Sequence, residues 1–189
     1  MSKKIIILIV ILAIVVAVGY LIYQFQNPKE IGQPTQQPTE TQIFTLDPQN
    51  CTYLIEGKNV SLVNGYSEEA ISDSASKTIT RYFGNEVSGD FNNDGFSDSA
   101  FLLTQETGGS GTFYYVAVAL GSENKCLGTN AIFLGDRIAP QTINFQDGKI
   151  IVNYADRNPD EPMTEIPSVG VSKYFKIVNN QLINIQENQ

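Results

Sequence analysis

Residues 5–23, IIILIVILAIVVAVGYLIY, are nineteen consecutive positions without a charge, and Lys3 and Lys4 stand directly before them. As a helix rising 1.5 Å per residue this run is roughly 28 Å long, close to the ~30 Å hydrocarbon thickness of a bilayer. It has no polar face, so it fits poorly as a helix packed on a soluble core. The two lysines mark the cytoplasmic end, and the chain then runs outward. Tyr20 and Tyr23 fall where interfacial aromatics belong. The rival reading is a cleaved signal peptide with Ala17-Val18-Gly19 as its small-residue site. Hydrophobicity that continues through YLIY favours an uncleaved anchor. No cysteine follows the run closely, which argues against a lipid anchor.

Three segments follow from this start. Residues 1–23 are a cytoplasmic stub and a transmembrane signal anchor. Residues 24–48 are rich in Gln, Thr and Pro, poor in large apolar groups and without period. Such a stretch cannot bury enough surface to offset its ordering entropy, and it reads as a disordered tether. Residues 49–189 form an extracytoplasmic β-rich domain.

The inventory narrows what that domain can do. The chain has no histidine, which removes the usual activator of a serine or cysteine nucleophile and the favoured transition-metal ligand. Its net charge of −8 argues against nucleic acid as a partner. Nothing singles out two carboxylates as an acid/base pair, so no enzymatic activity is expected.

From residue 51 onward the pattern is one of short β-prone runs and turns. SAFLLTQ (99–105) and TFYYVAVAL (112–120) are dense enough for central strands buried on both faces. Asn64-Gly65, Asp147-Gly148 and Asn179-Asn180 are candidate two-residue turns. Residues 67–72, SEEAIS, are the one candidate for a brief helix. Eight to ten strands in a meander predict a mainly β fold, an antiparallel sandwich or small barrel. No repeat of 20–50 residues points to a propeller.

Cys51 and Cys126 are the only thiols. Outside the cytoplasm two cysteines tend to pair, so a Cys51–Cys126 disulfide is the expectation, with two buried free thiols as the alternative.

The stretch GDFNNDGFSDSAF (89–101) carries the most chemistry. Counting from Asp90, oxygen-bearing side chains recur at Asn92, Asp94 and Asp98, with Gly95 permitting a sharp turn and Phe96 offering a carbonyl. Calcium takes six to eight oxygens, and alternate residues of a tight curl can converge on one ion. Position twelve is Phe101 rather than Glu, so this is not a complete EF-hand loop. Asp, Asn and Gly also make ordinary turns, but a turn needs fewer matched positions. A structural Ca²⁺ site is the expectation, and Mg²⁺ suits it less.

Two further segments carry Asp-Arg pairs, GDRIAPQ (135–141) and YADRNPDEPMTEIPS (154–168). Arg137 and Arg157 are expected to pin their loops, with a ligand clamp as the alternative. The second loop, with Arg157, Asp160 and Glu161, is the first candidate for a partner surface. The Gly-rich TGGSGTF (107–113) lacks the Lys of a phosphate loop.

These same segments, the GDxNxDGxxD loop, GGSGTFYY, GDRIAPQ and NYADR in that order, resemble a group of bacterial cell-envelope proteins of uncharacterised function. The resemblance spans about residues 53–185 and implies a secreted or membrane-tethered module, without supplying a reaction. The acidic loop alone, residues 89–100, resembles integrin-type FG-GAP repeats, which supports the ligand set and not the global fold. The sequence thus leads to a membrane-tethered binding or structural module of the cell envelope, with a protein or glycan ligand. The alternatives are an envelope hydrolase using paired carboxylates and an inhibitor of an exogenous hydrolase.

Overall fold

The computed structural model describes residues 3–26, 45–72 and 74–186. The chain divides into two compact units, Met1–Gln42 and Ile43–Gln189. In the first, helix α1 covers Lys3–Gln26, three residues beyond the apolar run. Side chains are described only for Lys3 and residues 11–26 of it. Among the described residues no helix is long and apolar enough to cross a membrane. The tether expected at 24–48 lies outside the described residues between 27 and 44. Its two ends are structured: residues 24–26 continue α1, and Pro48 is buried in a 3-10 turn, Pro48–Asn50, capped by the Asp47 carboxylate.

The second unit is mainly β and antiparallel. Its strands are β1 (Thr52–Ile55), β2 (Lys58–Ser61), β3 (Tyr66–Ala70), β4 (Lys77–Gly89), β5 (Asp98–Glu106), β6 (Phe113–Leu120), β7 (Leu127–Gly128), β8 (Ile132–Asp136), β9 (Ala139–Gln146), β10 (Lys149–Asp156), β11 (Val169–Val178) and β12 (Gln181–Ile185). β1 and β2 form a hairpin. A six-stranded sheet runs β3-β4-β5-β6-β7, with β8 also paired to β6, and a four-stranded sheet runs β12-β11-β10-β9. Asn64-Gly65, Asp147-Gly148 and Asn179-Asn180 all have positive φ. That is the backbone a two-residue hairpin turn demands, and it matches the twist of the flanking strands.

Residues 67–72 are not a helix. Tyr66–Ala70 pairs in register with β4 from Arg81 to Lys77. Local preference for helix in Ser-Glu-Glu-Ala yields to the ladder, and the exposed charges of β3 suit an edge strand that must not recruit another chain.

The six-stranded sheet is covered on both faces, which is why β5 and β6 are almost wholly buried. Alternate residues of these strands divide between two cores. Phe101, Leu103, Tyr115, Ala117 and Ala119 face Tyr53, Ile55, Val60 and Leu62 of the β1–β2 segment. Ala100, Leu102, Val116, Val118 and Leu120 face Ile143, Ile150, Val152, Tyr154, Phe175 and Leu182 of the four-stranded sheet. Asn130 links the layers further: its carboxamide donates to Leu182 O and accepts from Leu182 N, at 3.0 and 2.9 Å.

Buried tyrosines give this core a pH signature. Tyr53 donates to Pro48 O at 2.7 Å and Tyr154 to Leu134 O at 3.1 Å. Burial raises the pKa of both, with Tyr154 also raised by the Asp156 charge and pushed up to about 12. The unfolded chain ionises its tyrosines near pH ~10. The neutral phenols therefore stabilise the fold fully below pH ~10, and that stability is lost as pH rises through the folded values. In an alkaline titration, phenolate absorbance of the buried tyrosines is expected to rise together with loss of β-sheet circular dichroism. A single smooth titration near pH ~10, with the fold retained, would contradict this assignment.

Candidate functional site

The acidic stretch forms the connection between β4 and β5. Gly89 and Asp98 pair as the last and first residues of those strands, so the eight residues between them must curl back within one strand spacing. Asn93 and Gly95 make the reversal with positive φ, 61° and 89°.

Main-chain amides organise the acidic side chains. Asp90 accepts from Asp94 N through Oδ1 at 3.1 Å and from Gly95 N through Oδ2 at 3.0 Å. Asn92 Oδ1 accepts from Asp94 N at 3.1 Å, and its Nδ2 donates to Asp94 Oδ2 at 2.8 Å. Asp94 Oδ1 accepts from Phe96 N at 2.9 Å. Asp90, Asn92, Asp94 and the Phe96 main chain thus belong to one hydrogen-bonded curl.

Asp98 is different. It is fully buried, and its two oxygens accept from Phe91 N at 2.8 Å and Gly121 N at 3.0 Å. Burial raises its pKa; the two amides pull it down, and the nearby Asp94 and Asp90 charges raise it again. The carboxylate pins the base of the curl to the end of β6. Gly121 has to be glycine here, because a Cβ would stand 2.4 Å from Ser97 O. Phe91 anchors the curl to the four-stranded sheet through its ring, 4.7 Å from that of Phe145.

Whether these residues suit calcium turns on oxygen lone pairs. A carboxylate oxygen has two lone-pair directions, so accepting one amide leaves it able to accept a cation. The donors are all hard oxygens, as calcium requires. Among the described residues, no three His, Cys, Asp or Glu side chains converge closely enough to hold a metal ion. A calcium ion at the curl would therefore have to draw on the Asn92 amide oxygen and the Phe96 carbonyl as well. Both Asp98 oxygens are already engaged by amides.

Arg157 and Arg137 act within the protein. Arg157 Nε donates to Glu165 O at 2.6 Å and Nη1 to Arg137 O at 3.0 Å, bracing the 156–168 loop from inside. Arg137 makes a two-point contact with Asp136 at 3.2 and 3.0 Å, and Asp136 Oδ1 also accepts from Thr112 N. These contacts fit pinning rather than a ligand clamp. Glu161 accepts from Asn158 N and Nδ2, while Asp160 is exposed. The braced loop presents Ile166, which is 83% exposed.

Cys51 and Cys126 are bonded, with Cα atoms 5.8 Å apart. The bridge closes over β7 where Gly128 lies so near β1 that a Cβ would meet Thr52 O at 2.1 Å.

The structural partners of Asp98 have no signal in the sequence. Gly121 lies 23 positions away, and its amide becomes a partner only through the β5–β6 pairing. Ser99, next in line, is buried, and its hydroxyl has no hydrogen-bond partner among the described residues. No family model, curated protein or solved structure matches the chain.

Proposed function

We propose that this chain is a membrane-tethered, extracytoplasmic β module of the cell envelope that works by binding rather than by catalysis. The observation that carries the location is the Cys51–Cys126 bond. Disulfides persist in oxidising compartments, and the charge order of Lys3 and Lys4 ahead of the apolar helix points the domain to the same side. The resemblance of the GGSGTFYY, GDRIAPQ and NYADR segments to envelope proteins agrees with that placement. The partner surface is the 156–168 loop, where Arg157 fixes the backbone and Ile166 faces solvent, toward a protein or glycan of the envelope.

The Asp90–Asp98 curl completes the reading as a structural calcium site. Asp90, Asn92, Asp94 and the Phe96 carbonyl would hold the ion, and Asp98 would join them from below. The ion would offset the mutual repulsion of three carboxylates in nine residues. It would lock the β4–β5 connection and take no part in a reaction.

Topology on intact cells tests the location. Protease added from outside is expected to degrade the domain while a tag placed before Lys3 stays protected, and non-reducing gels are expected to show the bridged form. A domain protected from outside protease and carrying two free thiols would overturn the proposal.

A further inference from the structure

We propose that the groove between the tip of the β1–β2 hairpin and the adjoining ends of β5, β6 and β8 binds a small quaternary ammonium group. It lies at the opposite end of β5 from the acidic curl, so calcium has no part in it. The groove measures about 280 Å³ and is lined by Glu56, Gln105, Thr107, Phe113, Tyr115 and Phe133. Pockets for drug-sized molecules run ~300–1,000 Å³, so the fitting ligand is a small one.

Three aromatic rings border the space. Phe113 and Tyr115 are two residues apart on one face of β6, and Phe133 is the cross-strand neighbour of Tyr115 on β8. The Phe133 ring centroid lies 6.3 Å from that of Phe113 and 5.5 Å from that of Tyr115, with planes inclined by 51° and 59°. Rings so inclined give no flat platform on which a sugar would stack. Tyr115 is only 2% exposed, so a cation in the groove would meet the Phe113 and Phe133 rings. Their centroids are close enough for one positive charge to lie within ~6 Å of both, the range of a cation–π attraction. Phe133 is 46% exposed, an uncovered ring at the mouth of the groove.

Glu56 supplies the countercharge. The Tyr115 hydroxyl donates to its Oε1 at 2.8 Å and holds the carboxylate at the groove. Among the described residues Glu56 makes no ion pair. Glu56 also borders the adjoining depression with Lys58 and Glu69, and the three side chains together carry one net negative charge. The turn itself points the same way. The other two-residue turns begin with Asn or Asp, whereas this one places Glu56 at φ 49° ahead of Gly57. Glutamate is a poorer choice for that backbone than Asn or Asp, and what it adds is a carboxylate on a longer arm.

The test uses the full chain in a maltoside detergent, which carries no ammonium group. Choline is titrated against its uncharged isostere 3,3-dimethyl-1-butanol, with binding read by ligand-detected NMR. Choline is expected to saturate in the millimolar range, with the isostere at least about tenfold weaker. Glu56→Gln keeps an oxygen for the Tyr115 hydroxyl but removes the charge, and is expected to weaken choline about tenfold with an unchanged melting temperature. Phe133→Leu is expected to weaken it comparably. Equal binding of choline and the isostere, full affinity in Glu56→Gln, or no saturation below about 100 mM choline would each overturn the assignment.

Discussion

Replacing Cys51 and Cys126 together by alanine is expected to lower unfolding free energy by about 4–5 kcal/mol. The bridge spans a sequence separation of 75, and constraining a loop of that length in the unfolded chain accounts for a loss of this size. The folded state adds to the effect. Cys51 is buried beside Tyr53 and Ala119 in the core between the hairpin and the six-stranded sheet. The bridge fastens the first strand to the far edge of that sheet, where β7 has only two residues of its own. Urea unfolding of the wild type and the double variant measures the difference. If the variant is too unstable to purify, the wild type unfolded with and without reductant gives the same comparison. A change below about 1 kcal/mol would mean that the ladders hold the hairpin without the bridge.

The second large effect is expected at Asp98. Asp98→Ala in excess EDTA should cost about 3 kcal/mol, because it leaves the Phe91 and Gly121 amides buried without acceptors, each at roughly 1–3 kcal/mol. Asp98→Asn is expected to remain destabilising, since the carboxamide keeps one acceptor and turns a donor toward the other amide. Asp94→Ala under the same conditions is expected to change stability by no more than about 1 kcal/mol, as an exposed side chain whose partners can turn to water. The contrast separates the carboxylate that anchors the curl from those that line it. Equal effects of Asp98→Ala and Asp94→Ala in EDTA would contradict that division.

These two cases mark what the sequence discloses and what it hides. Turn chemistry was legible because Asn-Gly, Asp-Gly and Asn-Asn carry their backbone preference in two adjacent residues. The central strands were legible because burial on both faces forces the unbroken apolar runs of 99–105 and 112–120. The strand count was not: among the described residues twelve strands form where eight to ten were expected. β7 and β8 divide one edge of β6, a partition that exists only in the ladder. Residues 67–72 suit a helix by composition, yet residues 67–70 belong to β3 because Lys77–Arg81 offers a strand to pair with. The folded unit also begins before residue 49, since Pro48 is buried and Leu46 packs on the core, a contact that local composition does not record. At the acidic curl the oxygen-bearing side chains stand at a fixed spacing that the sequence displays. Asp98 looked like its neighbours, and its separate role as a buried anchor depends on Gly121, which the fold alone brings near.

The proposal for the acidic curl is that it holds calcium. It is tested most directly by melting the compact unit Ile43–Gln189 in millimolar Ca²⁺ and in EDTA, as wild type and as Asp94→Ala. The expected result is a higher midpoint with Ca²⁺ in the wild type, absent in Asp94→Ala and not reproduced by Mg²⁺. At free calcium 100 times Kd the added stability should be about 2.7 kcal/mol. Superimposed wild-type melts in Ca²⁺ and EDTA would contradict the claim and leave the curl as a hydrogen-bonded turn built on Asp98.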